Sequence, residues 1–101
     1  MQLLRHAADK GNPMAQNGIG VLYEHGYGVR QDYVEAVRWF RLAADKGYAP
    51  AAFNLGVMYA DGRGVPRDRG EAAKWYEKAA AAGNEMAIAR LARIDPAASP
   101  R

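Results

Sequence analysis

The sequence contains no cysteine, which excludes a disulfide framework, a thiolate metal site and a cysteine nucleophile. Its one serine, Ser99, lies close to the C-terminus with no general base in view, so a serine nucleophile has no support. Histidine is scarce too. His6 and His25 are the only two, neither has a metal-ligand spacing such as H-x-x-x-H, and both are expected to serve in surface or core packing. No apolar run approaches the ~20 residues of a membrane span. Residues 1–10 lack an apolar run behind a basic lead and do not read as a signal peptide; the compartment stays open. A strong charge imbalance is also missing: Lys and Arg number 14, Asp and Glu 11, for a net charge of +3. Nucleic-acid binders concentrate basic residues on one face, and an excess this small does not favour nucleic acid as the partner.

What is present is a globular composition, half apolar and one quarter charged. A chain of 101 residues makes one small domain, and a compact fold of that size buries only about 60–65% of its unfolded surface. Stacking against further units, or a partner, would help it.

The chain repeats itself. Residues 11–46 lie over residues 47–82 without a gap, a period of 36. Gly11, Ala15, Gly20, Val21 and Tyr23 fall on Gly47, Ala51, Gly56, Val57 and Tyr59. Gly26, Gly28 and Val29 fall on Gly62, Gly64 and Val65, and Asp32, Glu35, Ala36 and Trp39 on Asp68, Glu71, Ala72 and Trp75. Residues 1–10 match the end of a unit, residues 83–94 begin a third, and residues 95–101 are proline-punctuated and expected to be a flexible tail.

Each unit reads as helix, loop, helix. The first helices are predicted over Pro13–Glu24 and Ala49–Ala60. Asp32 with Glu35, and Asp68 with Glu71, have the spacing of a capping box, and they open second helices whose Ala36, Trp39/Phe40 and Ala43 share one buried face. Ala72, Trp75/Tyr76 and Ala79 repeat that face. Lys46 is expected to favour the negative end of its own helix, and Gly47 and Gly83 to supply the left-handed residue that stops each helix. Gly18 and Gly20 cost about 1 kcal/mol each against alanine inside a helix. The recurrence of Gly20 as Gly56 predicts a close helix approach there, with Tyr23 and Tyr59 packing over it. One unit cannot bury both its helices alone, so neighbours complete the interior.

Asn54-Leu55-Gly56-Val57-Met58-Tyr59, then Gly62-Arg63-Gly64-Val65-Pro66-Arg67-Asp68, then Ala72-Ala73-Lys74-Trp75-Tyr76-Glu77-Lys78-Ala79-Ala80 and Gly83 together resemble the Sel-one-like repeat, a relative of the tetratricopeptide repeat with a longer inner loop. The resemblance covers nearly the whole chain apart from the tail. It implies an all-α, right-handed solenoid of antiparallel helix pairs that acts as an adaptor for a protein or peptide. A cysteine-rich branch of that family is linked to β-lactam hydrolysis, and a chain without cysteine does not inherit that activity. By the same resemblance the first helix of each pair lines a groove. This places Met14, Asn17, Val21 and Glu24 there, then Pro50, Phe53, Val57 and Ala60, and then Met86, Ala89 and Arg93.

The remaining motifs have structural readings. Gly26-x-Gly28 and Gly62-x-Gly64 follow no strand and read as turns rather than phosphate loops. The acidic residues Asp32, Glu35, Asp68 and Glu71 are accounted for as caps, so no catalytic constellation and no cofactor site emerges. Arg63, Arg67 and Arg69 form a local basic cluster around Pro66. That cluster keeps open a second reading, binding of an acidic polymer, either nucleic acid or anionic glycan, through arginine-rich loops; hydrolase activity is the weakest reading. Leu3 and Leu4 at one end, and Ile88, Leu91 and Ile94 at the other, are expected to form apolar edges where a longer array would continue or copies would associate end to end.

Overall fold

The computed structural model describes residues 2–94, with the backbone alone at Ile94. The expected tail over 95–101, and the Ile94 side chain, lie outside the described residues. Those residues form six helices and no strand: α1 (Gln2–Asp9), α2 (Pro13–His25), α3 (Tyr33–Asp45), α4 (Ala49–Asp61), α5 (Arg69–Ala81) and α6 (Glu85–Ile94). The predicted first helices are each one residue short, because α2 and α4 run on to the left-handed Gly26 and Gly62 (φ 71° and 70°).

Each helix packs chiefly on its neighbours along the chain, from α1 on α2 through to α5 on α6. The result is an elongated stack of 47 × 24 × 17 Å. Its interior is continuous from α3 to α6, because α3, α4 and α5 bury a common cluster that also takes in Ala87 of α6; α1 and α2 bury Ala8, Ala15 and Ile19 in a second cluster, and Tyr23 of α2 packs on both. Phe40 of α3 and Tyr76 of α5 are wholly buried at equivalent positions. Each ring lies against a glycine of the preceding helix. A Cβ at Gly20 would stand 2.6 Å from the Phe40 ring, and one at Gly56 2.6 Å from the Tyr76 ring. That is the close approach the recurring glycine predicts. Gly18 differs: its nearest neighbour is the Leu4 side-chain tip at 3.3 Å, and position 54 carries asparagine in the next copy.

The helix ends correct two expectations. Asp32 and Asp68 do cap α3 and α5, accepting from the Glu35 and Glu71 N–H groups at 3.1 and 3.0 Å. The reciprocal half of a capping box is not made. The Asp32 and Asp68 N–H groups donate instead to the Tyr23 and Tyr59 carbonyls, each at 2.9 Å, which closes the inter-helix loop. The freed glutamates pair within their own helices, Glu35 with Arg38 and Glu71 with Lys74. Lys46 does not serve its own helix either. Its Nζ donates to the Gly11 carbonyl at 2.7 Å and so ties the end of α3 to the turn after α1. Gly47 and Gly83 are left-handed as expected, at φ 86° and 91°, with the Tyr48 N–H reaching back to the Ala43 carbonyl. Sequence reading missed the caps Asn12 and Asn84, which accept from the Ala15 and Ala87 N–H groups.

Candidate partner-binding groove and basic pocket

The first helices α2, α4 and α6 carry the predicted groove residues, and the structure divides them into accessible and engaged. Met14 and Met86 stand open at 65% and 60% exposure. Pro50, Ala89 and Arg93 are exposed as well. Asn17 accepts a hydrogen bond from Asn54 at 3.0 Å, a direct link between α2 and α4. Glu24 lies 3.9 Å from the Arg63 guanidinium of the following unit. Val21, Val57 and Ala60 are half-buried against the shared interior. Phe53 is 8% exposed; its ring is 5.7 Å from that of Tyr76, and the Arg90 guanidinium sits 5.6 Å over it.

A second set of contacts repeats from unit to unit. Arg5 donates to the Tyr23 hydroxyl and stacks over Trp39, while Arg41 donates to the Tyr59 hydroxyl at 2.7 Å and stacks over the Tyr59 ring. The tyrosines thus pack on the core and also clamp an arginine of the preceding second helix. Gly64 (φ +73°) meets the Tyr33 backbone, so a Cβ there would fall against that carbonyl. Arg63 lies over the Tyr33 ring. Gln16, which sequence reading passed over, is buried and donates to the Ala8 carbonyl at 3.1 Å.

The basic cluster read from the loop is split by these contacts. Arg63 is held by Glu24, Asp61 and Tyr33. Arg67 and Arg69 turn elsewhere and line a cavity of about 160 Å³ with Ala60, Tyr76, Arg90 and Arg93. Arg67, Arg69, Arg90 and Arg93 have no carboxylate within ion-pair distance among the described residues. The Tyr76 hydroxyl is buried there beside the Arg90 guanidinium, which can only donate, and its own proton finds no acceptor. Burial raises its pKa above the ordinary tyrosine value, an effect that the neighbouring Arg90 guanidinium partly offsets. It is therefore a neutral O–H donor at neutral pH. Elsewhere among the described residues, no three of the metal-ligating types His, Asp and Glu come together. No helix there is long and apolar enough to cross a membrane.

Helix pairs that repeat at 36 residues and share one interior define an all-α repeat solenoid. The family model of the Sel1 repeat matches residues 13–48 and 49–84, the same period with a phase two residues later than the sequence overlay. The chain belongs to the Sel1 repeat family. Solved structures agree. A Sel1 repeat protein from Oxalobacter formigenes is 46% identical, with a TM-score of 0.88 over 91% of this chain and 69% of that one. A protective antigen of uropathogenic Escherichia coli displaying an SLR fold is 43% identical, with a TM-score of 0.86 over 87% of this chain but 19% of its own length. Cysteine rich protein B of Helicobacter pylori is 28% identical, with a TM-score of 0.85 over 89% and 68%. The fold is therefore shared with a cysteine-rich relative by a chain that has no cysteine. No curated protein matched the chain.

Proposed function

We propose that this chain is a non-catalytic scaffold that binds a protein or peptide along the face formed by α2, α4 and α6. Sel1 repeat proteins are generally protein-interaction scaffolds, and the accessible chemistry here suits that role. The observation that carries the reading is the pair of exposed methionines, Met14 and Met86. They recur on first helices, whereas the aromatic residues Phe40, Trp75 and Tyr76 of the second helices are consumed in the interior. Unbranched thioether side chains adapt to varied apolar partners, and exposed Pro50, at the equivalent position of the intervening unit, leaves the surface between them open. Leu3 and Ile88, both exposed, offer end faces through which copies of the chain would stack.

The test is selection of a peptide library on the immobilised protein, followed by affinity measurements on variants. Because both methionines are exposed, Met14→Glu and Met86→Glu should leave stability within about 0.5 kcal/mol. Each should weaken the selected peptides by about tenfold or more, the scale of an interface anchor. Leu42→Glu, at an exposed position of α3, should bind normally. Peptides indifferent to both methionine changes would refute the face.

A further inference from the structure

The cavity beside Tyr76 departs from the repeat in one consistent direction. Its lining residues Ala60, Arg67, Arg69, Tyr76, Arg90 and Arg93 stand, 36 positions on, where the preceding unit has Glu24, Gln31, Tyr33, Phe40, Asn54 and Val57. An acid is lost, four uncharged residues become arginine, and a buried phenylalanine gains a hydroxyl. Stacking does not demand any of this. Phe40 fills the same place against Gly20 that Tyr76 fills against Gly56, so the packing needs the ring and not the oxygen. A buried O–H without a partner is unfavourable, and so are guanidinium groups gathered without a counter-charge. Among the described residues the Tyr76 proton finds no acceptor, Arg90 is stacked only on the Phe53 ring, and the acid nearest Tyr76, Asp61, is paired with Arg63. Both would be relieved by one anion.

We propose that Arg67, Arg69, Arg90 and Arg93, with the hydroxyl of Tyr76, form a site for a phosphoryl dianion. The donor count selects that chemistry. A carboxylate has two oxygens and one charge, and a pair of guanidinium forks already satisfies it. A phosphate monoester brings three terminal oxygens and nearly two charges at neutral pH, which matches four guanidinium groups and one phenol. The cavity, at about 160 Å³, admits one such group. It is an open-mouthed point site and not a track: Arg5 and Arg41 are stacked on aromatic rings, and Arg38 and Arg63 are paired with acids. A nucleic-acid strand would need basic residues spread along its path.

The experiment is titration calorimetry of the full chain with inorganic phosphate, with acetate and chloride at matched ionic strength as controls. Phosphate should bind at one site and at least about tenfold more tightly than acetate, as expected of multiple charge-assisted hydrogen bonds. Arg67→Gln and Arg93→Gln, both at exposed positions, should each weaken phosphate by about tenfold, and Arg38→Gln should not. Tyr76→Phe restores the residue type of the preceding unit, so it folds; it should weaken phosphate several-fold. A phosphoserine peptide that binds more tightly than phosphate would place the group on a protein partner, and equal affinity would place it on a free anion. Phosphate no tighter than acetate, unchanged affinity in Arg67→Gln and Tyr76→Phe, or an unphosphorylated-end oligonucleotide binding more tightly than phosphate would overturn the assignment.

Discussion

Glycine and its facing aromatic ring are the residues on which the helix pairs turn. Gly20 and Gly56 are contacted by Phe40 and Tyr76 so closely that a methyl group cannot enter without moving a buried ring. Gly20→Ala and Gly56→Ala should therefore lose about 1–3 kcal/mol by overpacking, reduced by the roughly 1 kcal/mol that alanine gains over glycine in a helix. Gly18→Ala meets only the flexible tip of Leu4 and should be neutral or stabilising by up to about 1 kcal/mol. Urea denaturation of the three variants checks this; equal effects at Gly18 and Gly56 would contradict it. The sequence distinguishes these glycines only by recurrence, since Gly20 has a copy and Gly18 does not. Tyr76 was legible as core but not as the roof of a basic pocket, because its value there depends on Arg90, which belongs to the next unit.

At the scale of the helix, the second helices are specified locally and the first helices by their surroundings. Asp32 and Asp68 cap α3 and α5 by single hydrogen bonds to the third residue's N–H. Asp68→Ala should cost about 1 kcal/mol, measured by thermal or urea unfolding, while Glu71→Gln should cost much less because its carboxylate pairs only with exposed Lys74. An equal loss for both would restore the full capping box that the backbone bond from Asp68 to Tyr59 excludes. Helix bounds, the loop glycines and the buried faces were readable from spacing. The destinations of Lys46, Arg5 and Arg41 were not. Each reaches a neighbouring helix pair, and the sequence carries no local signal for a contact set by how units stack. Leu4 and Leu91, expected as open edges, are half-buried for the same reason.

Across the whole molecule, the account rests on helix pairs that share one interior and so stand or fall together. The groove, the arginine–tyrosine clamps and the basic pocket are all built from residues of adjacent units, and none survives if the units are independent. Trp39 and Trp75 offer one fluorescent reporter in each of the two helix pairs. The deciding measurement is urea unfolding of a Trp39→Phe protein, followed through Trp75 in α5, with and without Gly20→Ala in α2. A shared interior predicts that the change in the first pair lowers the midpoint reported by Trp75, by the same free energy as far-ultraviolet circular dichroism reports for the whole chain. A Trp75 midpoint that stays in place while the first pair unfolds early would contradict it.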